Sequence, residues 1–416
     1  MKSGVIIALF SAILFQGLSC FAIAAPAIPD IPGQASKLMI YRATGTANSC
    51  GPGCDHWIAV EGKVDSDAAA RVRRFLNREK DTSLPFYLYS PGGDLQQGLS
   101  IGRMLRARRA TARIGQTIAK GCEAGSQIDD ACLKIKGAGE EIDASIVVQK
   151  AQCNSACGYL FLGATTREVP VDAMLGVHSS RILLKIIGRP SLSQRQEFLD
   201  RMRDRSDSEL TSYLRTMGIS HELFDMVKTI KFENMRPLTR QELYRFGIDK
   251  REFVDTAWTV VTTPRPLIRK FAIERRDDAT PYRPMEWLLS CDASGQSRLT
   301  FTRQADVGMT TSLSMMAGSA ALVPFATKRS NFEIWTVAVK PGVLKNFLTA
   351  SYVQMVESTN DSGGKLNHQV AFKIETAGLE AGWAQISAAC TSSLTDDIRA
   401  SAAAVALPPP PSFGRR

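Results

Sequence analysis

The chain contains 416 residues, of which 44% are hydrophobic and 22% are charged. That balance excludes an intrinsically disordered polyelectrolyte and a polytopic membrane protein, and the length suggests two or three domains that each bury a core. Lys and Arg outnumber Asp and Glu, 51 against 41, but basic residues are scattered among acidic ones. They lack the interleaved aromatic residues of a single-stranded nucleic-acid site, so no nucleic-acid partner is expected.

Residues 1–24 have the features of a secretory signal peptide. A basic residue precedes an apolar stretch from Val5 to Phe15, and residues 22–24 are the small and apolar Ala-Ile-Ala that signal peptidase accepts. The wider window 4–25 could remain as an uncleaved anchor, and lipidation of Cys20 is disfavoured because Gly17 stands where a lipoprotein signal has Leu. We therefore predict an exported bacterial protein, periplasmic or secreted, with no stable membrane span after cleavage.

The cysteines agree with export. Loss of Cys20 with the signal leaves eight, an even number that suits an oxidising compartment. Clustering along the chain favours three disulfides, namely Cys50 with Cys54, Cys122 with Cys132, and Cys291 with Cys390. The pairing of Cys153 and Cys157 is less clear, because residues four apart on one helix rarely satisfy disulfide geometry; they bridge elsewhere or stay as buried thiols.

A metal site is disfavoured. Cys50, Cys54 and His56 lie close in sequence, but no second Cys/His pair completes a set of four ligands. Phosphate-binding and dinucleotide motifs are absent from the sequence because the Gly92-Gly93 pair lacks the following glycine and lysine. The sequence predicts neither a metal nor a cofactor.

The first half of the mature chain alternates strand-like and helix-like segments. Residues 25–50 are predicted to be an extended leader, and 51–255 a layered α/β domain, within which 116–145 is interpreted as a surface insertion. The predicted strands are Trp57–Val64, Phe86–Tyr89 and Met174–Val177. The predicted helices are Ala68–Arg78 and a helix that begins after Asp94 as its N-cap.

The second half has a different character. Residues 256–283 are rich in Pro and Arg and are interpreted as a linker. From 284 to 393, short segments of β-like composition alternate with turn-prone residues, which predicts a smaller β-rich domain. The last residues, 394–416, contain four consecutive prolines and are predicted to be a disordered tail.

Three short segments of the α/β domain carry residues suited to nucleophilic catalysis. Ser90–Asp94 places two glycines at a strand-to-helix turn, where backbone amides can approach and stabilise an oxyanion. Cys153–Gly158 places Ser155 between small residues at the start of a helix, near the positive end of the helix dipole. Leu175–His178 ends a short strand with an imidazole that can accept a hydroxyl proton near neutral pH.

This order of elements and motifs resembles the Clp protease proteolytic subunit (ClpP) and its crotonase-fold relatives, including signal peptide peptidases. The resemblance covers about residues 55–250. Ile58–Val64 is similar to the first strand of that fold and Leu238–Ile248 to its closing helix, and Ser155 and His178 are 23 positions apart, close to the family's interval. It implies a layered spiral α/β domain, self-association into a homo-oligomer, and a close relation to exported ClpP-like proteins of the bacterial periplasm.

The resemblance also implies roles for individual residues. Ser155 resembles the nucleophile and His178 the general base, while Gly93 and Ala156 would donate the two amides of the oxyanion hole and Gly92 would shape the turn.

The third catalytic residue departs from the family's pattern. The family has an Asp shortly before the closing helix, but the corresponding segment here, 231–239, contains none. Asn234 or Glu233 could orient His178, and we assign Asn234 as the candidate; the remaining alternative is that no side chain orients the imidazole.

The sequence therefore predicts an exported serine hydrolase, a peptidase that acts on a peptide or protein through an acyl-enzyme. The alternative is a catalytically inactive ClpP-like binding or scaffold protein of the periplasm, whose β-rich domain recognises a partner. A crotonase-type enzyme acting on an acyl-CoA is a third reading that export disfavours, because CoA is cytosolic.

Overall fold

The computed structural model describes residues 35, 37–51, 53–122, 127–181, 191–262, 265–275, 282–292, 294–304, 310–329, 332–360 and 366–392. The predicted signal peptide and the Pro-rich tail lie outside these ranges. Within them, no helix combines the length and the apolar character that crossing a bilayer requires.

The described residues form nine helices and 21 strands. The helices are α1 (Ala68–Arg78), α2 (Leu95–Ala107), α3 (Asp130–Gly137), α4 (Ala156–Leu162), α5 (Leu192–Thr216), α6 (Glu222–Thr229), α7 (Arg240–Arg245), α8 (Pro341–Thr349) and α9 (Leu379–Ser392). The first ten strands are β1 (Met39–Thr44), β2 (His56–Glu61), β3 (Phe86–Tyr89), β4 (Thr111–Ile114), β5 (Gln116–Ala119), β6 (Ile142–Val147), β7 (Gln152–Asn154), β8 (Thr166–Glu168), β9 (Met174–Val177) and β10 (Arg236–Pro237). The others are β11 (Phe253–Asp255), β12 (Thr259–Val261), β13 (Leu267–Glu274), β14 (Arg283–Cys291), β15 (Ser297–Gln304), β16 (Thr310–Ala317), β17 (Ala320–Leu322), β18 (Phe325–Arg329), β19 (Phe332–Ala338), β20 (Tyr352–Asn360) and β21 (Leu366–Glu375).

A seven-stranded sheet in the order β5-β6-β1-β2-β3-β4-β8 organises the first half of the chain. Strands β2, β3, β4 and β8 are mutually parallel, and β1 joins β2 in antiparallel register. The central strands are short apolar runs whose residues Ile58, Phe86 and Leu88 are fully buried, as expected of parallel strands that are covered on both faces.

A second, three-stranded sheet in the order β10-β9-β7 continues from the carboxyl end of β3. Ser90, just after β3, forms a parallel bridge to Cys153 of β7. Helix α4 follows β7 and all seven of its residues are buried, because its sequence is apolar on every face. These elements hold the predicted site.

The second half forms two antiparallel sheets, β11-β13-β14-β15-β19-β18 with β12 on β13, and β17-β16-β20-β21. A separate hydrophobic cluster lies among these strands and helices α8 and α9, and it includes Trp287, Phe301, Met315 and Met355. Across the described residues, the protein is thus a mixed α/β protein with several sheets.

Several elements coincide with those predicted from the sequence. Helix α1 begins and ends where the apolar spacing indicates, the strands Phe86–Tyr89 and Met174–Val177 match to the residue, and the Asp94 side chain caps α2 by accepting from the Gln97 amide.

Three segments differ from their predicted character because each contributes strands to a sheet. The predicted leader, 25–50, contains β1, and the predicted insertion, 116–145, contains β5, α3 and most of β6. The predicted linker, 256–283, contains β12 and β13. In β13 the buried face includes Lys270, whose ammonium pairs with Asp255 at 2.8 Å; a charged residue inside the alternation conceals the period of a strand.

The disulfides Cys50–Cys54 and Cys122–Cys132 form as predicted. Cys291 is also disulfide-bonded, and the side chain of Cys390, its predicted partner, lies outside those described.

Cys153 and Cys157 correct the expectation that they would bridge elsewhere or remain thiols, because they are bonded to each other with their Cα atoms 5.2 Å apart. The two residues do not share a helix. Cys153 belongs to β7 and Cys157 to the first turn of α4, and the sharp turn between them brings their Cα atoms within the range that disulfides require.

Candidate active site

Ser155 forms the turn between β7 and α4. Its backbone has φ 54° and ψ −122°, a combination that costs a residue with a side chain about 1–3 kcal/mol. The residue is half-buried, whereas Asn154 and Ala156 on either side are buried. A serine on a strained strand-to-helix turn presents its hydroxyl outward, as the nucleophiles of several hydrolase families do.

Ser155 and His178 lie at the same end of the three-stranded sheet, because each follows the carboxyl end of a strand. Strands β7 and β9 are parallel with Asn154 opposite Gly176, and the Ser155 amide donates to the Gly176 carbonyl at 2.9 Å. Adjacent strands are about 4.8 Å apart, so the residues that follow β7 and β9 are neighbours. No hydrogen bond between the Ser155 hydroxyl and His178 is among those of the described residues; such contacts are often long before substrate binds.

Gly92 and Gly93 lie against this turn. A Cβ on Gly92 would be 2.7 Å from the Ser155 Cβ and 3.0 Å from the Ala156 nitrogen, and Gly92 has φ 96°. Only glycine permits both the approach and the conformation. The two backbones are therefore in direct contact at the base of the turn that holds Ser155.

The amides of Gly93 and Ala156 lie beside this contact. The Val64 amide donates to the Gly92 carbonyl at 2.8 Å, and the Asp94 amide donates to the Val64 carbonyl at 2.7 Å. The Gly93 amide, between them, takes no part in this bridge. The Ala156 amide is the first of α4 and has no acceptor within its own helix. Among the main-chain hydrogen bonds of the described residues, neither the Gly93 nor the Ala156 amide is a donor, and their role in an oxyanion hole stays a prediction.

His178 is 7% exposed, and its Nδ1 lies 2.6 Å from the carbonyl oxygen of Phe232. A carbonyl can only accept, so in the neutral ring Nδ1 carries the hydrogen and Nε2 is left as a proton acceptor. Burial lowers the pKa of His178 below its usual value; the Phe232 carbonyl and the charge of Glu233 oppose that shift. The imidazole is therefore in the protonation state that a general base needs near neutral pH.

The loop that contacts His178 includes both residues considered for the third catalytic position. Asn234 is exposed, and its main-chain amide donates to the Lys231 carbonyl and so closes a turn. Glu233 forms an ion pair with Arg181, whose guanidinium lies 4.6 Å from the centre of the Phe232 ring. The main chain of this loop, at Phe232, makes the observed contact with the imidazole, and a catalytic role for Asn234 stays a prediction.

The sequence could not predict the contact between His178 and the Phe232 carbonyl, because every residue has a main-chain carbonyl. The available signal was the absence of an Asp before α7, which indicated only that a carboxylate of the kind that orients many catalytic histidines was missing. As to metals, no group of three or more His, Cys, Asp or Glu side chains converges within the described ranges.

Comparisons with known proteins find matches among solved structures. No protein-family model matches the chain, and no curated protein matches it. Among solved structures, the invasion associated protein B of Bartonella henselae is 8% identical with a TM-score of 0.25, over 32% of this chain and 94% of its own. A mutant of ClpP1 from Listeria monocytogenes is 15% identical with a TM-score of 0.27, over 52% of this chain and 89% of its own. At these scores neither likeness bears on mechanism.

Proposed function

We propose that the chain is an exported serine hydrolase, a peptidase in which Ser155 is the nucleophile and His178 the general base. One observation carries the proposal: Ser155 occupies a strained, half-exposed turn that follows β7, while His178 follows the adjacent parallel strand β9. Strain at a polar residue of this kind concentrates at functional sites.

The chemistry follows from the hydrogen bonds. Nε2 of His178 takes the Ser155 proton as the hydroxyl oxygen attacks a carbonyl carbon, and the resulting oxyanion accepts hydrogen bonds from the Gly93 and Ala156 amides. The imidazolium then protonates the leaving amine, and an acyl-enzyme remains on Ser155. Water, activated by the same imidazole, releases the acid product and restores the serine.

The orienting group is neutral in this proposal. The Phe232 carbonyl fixes the tautomer and direction of His178, which is one of the two tasks that a catalytic carboxylate performs. The other task, stabilising the imidazolium, falls to the more distant charge of Glu233, which favours the protonated ring. We therefore expect a slower enzyme than one with an aspartate in contact with its histidine.

An oxidising compartment and self-association belong to the same proposal. Three disulfides within the described residues support export, because such bonds persist outside the cytoplasm. The ClpP-like layered spiral and the homo-oligomer rest on the sequence resemblance. Size-exclusion chromatography with light scattering on the mature chain tests the oligomer.

Labelling with a fluorophosphonate probe tests the nucleophile. The mature protein should be labelled, Ser155→Ala should not, and Ser180→Ala should keep the wild-type rate, because Ser180 is an exposed serine two residues beyond His178. His178→Ala should slow labelling by at least about a hundredfold, since it removes the base.

The scaffold alternative is favoured by one feature: among the residues that the structure describes, no side-chain carboxylate is hydrogen-bonded to the imidazole of His178. It predicts a folded protein that no serine-directed probe labels. Peptide binding without Ser155-dependent labelling would overturn the hydrolase proposal in favour of that alternative.

A further inference from the structure

The Cys153–Cys157 disulfide encloses the nucleophile turn. Cys153 is 0% exposed and Cys157 is 1% exposed, so the bond lies inside the core. Only Asn154, Ser155 and Ala156 lie between the two cysteines. The bond therefore joins the end of β7 directly to the first turn of α4, across the residue that carries the strain.

Hydrogen bonds hold the strand side of this turn. The Asn154 amide donates to the Ser90 carbonyl at 3.0 Å, and the Ser155 amide donates to the Gly176 carbonyl at 2.9 Å. Together they place the residues up to Ser155 in the three-stranded sheet.

Packing holds the helix side. Helix α2 approaches α4 so closely that a Cβ on Gly98 would be 2.5 Å from the Ala156 carbonyl oxygen. Strand and helix are thus anchored to different neighbours. Among the described contacts, the disulfide is the covalent connection between the two sides other than the strained main chain itself.

We propose that the Cys153–Cys157 disulfide is a positioning device, which holds Ser155 at positive φ with its hydroxyl toward His178 and the Ala156 amide toward the oxyanion. The inference rests on the proposed function for its catalytic consequence. Without the cross-link, rotation about Ser155 to an ordinary conformation relieves the strain, and only a fraction of molecules keeps the reactive turn.

Removal of the disulfide should therefore lower the rate at which Ser155 reacts by more than it lowers the folded fraction of the protein. Because the competent fraction falls exponentially with the strain that rotation relieves, reactivity should fall about ten- to a hundredfold. The oxidised pair is then required for full activity, which ties the site to an oxidising compartment.

A matched pair of variants tests this inference in the full mature chain. Cys153→Ala/Cys157→Ala removes the proposed device, and Cys50→Ala/Cys54→Ala removes another disulfide with the same spacing of four residues, away from Ser155. The fluorophosphonate labelling rate should fall about ten- to a hundredfold in the first variant only. Both variants are checked for folding by near-ultraviolet circular dichroism. Equal labelling rates for the two folded variants would overturn the inference.

Hydrogen exchange of the peptide that spans 150–163 supplies a readout that needs no activity. Exchange there should accelerate in Cys153→Ala/Cys157→Ala and stay unchanged in the control pair. If wild-type protein is not labelled at Ser155, the hydrolase proposal fails, yet accelerated exchange would still support the positioning role. If exchange at 150–163 is unchanged, the disulfide does not hold the turn and the inference fails.

Discussion

At the scale of single residues, the proposed hydrolase assigns part of a catalytic role to a main-chain group, the carbonyl that contacts His178. Its ring is buried and its Nδ1 contacts a carbonyl, so the environment favours the neutral form while fixing which nitrogen is basic. An aspartate in place of this carbonyl would raise the affinity of the imidazole for a proton, because its charge would pair directly with the imidazolium. Because the acceptor here is neutral, His178 stays unprotonated, and so able to accept a proton, down to a lower pH.

The pH dependence of labelling should reveal this arrangement. Because burial lowers the pKa of His178, the acid limb of the labelling rate should lie below pH 6.5, the ordinary value for histidine. Glu233→Gln should move that limb to still lower pH, since it removes a charge that favours the imidazolium. Glu222→Gln on α6 is the control. A limb above the ordinary value would contradict the assignment of His178 as a buried base.

Gly92 offers a steric test of the same site. Ala at this position must accept φ 96° and put its Cβ 2.5 Å from the Asn154 carbonyl oxygen, which should lower the free energy of unfolding by about 2–4 kcal/mol. Gly53→Ala is the matched control, because Gly53 has φ 71° and open space around it, so strain alone costs about 1 kcal/mol. Denaturant titration compares the two. Equal losses would mean that Gly92 does not contact the turn that holds Ser155.

At the scale of elements, the packing of α2 on α4 fixes the position of the first turn of α4, which follows Ser155. The two helices meet at glycines: a Cβ on Gly163 would be 2.2 Å from the Gly102 Cα, and Gly98 contacts the Ala156 carbonyl. Such close backbone contact leaves no room for sliding, since interiors are packed to crystal density. Helix α2 therefore positions the Ala156 amide as firmly as the sheet positions Ser155.

Gly98→Ala should disturb that contact. The added methyl group overlaps the Ala156 carbonyl at 2.5 Å, so we expect a loss of about 1–3 kcal/mol in unfolding free energy and a slower labelling rate. Gly342→Ala on α8 is the control; nothing lies within 4 Å of its Cβ, and it should raise stability by about 0.5 kcal/mol. Thermal unfolding and labelling on both variants check the prediction. A stabilised Gly98→Ala would contradict the packing.

The elements also mark how far sequence reasoning reaches. Helix α1 and strand β9 were predictable because local signals, apolar spacing and flanking turns, agree with their tertiary surroundings. Strands β1 and β13 were not, because each is defined by its partners in the sheet. The order of Ser155 and His178 along the chain could be read from motifs. Their position at the same end of the sheet could not, because it depends on the parallel register of β7 and β9, which is a long-range property.

At the scale of the whole molecule, the described hydrophobic clusters divide by sequence. Residues 38–248 supply two of them and residues 258–386 supply the third. Four of the five tryptophans belong to the third cluster, so tryptophan fluorescence reports chiefly on that part of the chain. Labelling of Ser155 reports on the other part, and the two signals can be followed in one sample.

The buried Arg303 tests whether those parts depend on each other. Its guanidinium donates to Glu333 at 2.8 and 2.9 Å and pairs with Glu357, and all three side chains are less than 10% exposed. Arg303→Ala takes the guanidinium away from two buried carboxylates, so it should destabilise the third cluster by about 3–5 kcal/mol.

Arg298→Ala, on the same strand, removes only the partly exposed pair with Asp292 and should cost less than about 1 kcal/mol. The fluorescence transition of Arg303→Ala should therefore shift to much lower denaturant while that of Arg298→Ala barely moves. If Ser155 keeps its labelling rate after the fluorescence transition of Arg303→Ala is complete, the part of the chain that contains Ser155 stays folded without the β-rich half. Simultaneous loss of both signals would mean instead that the β-rich half holds the site together.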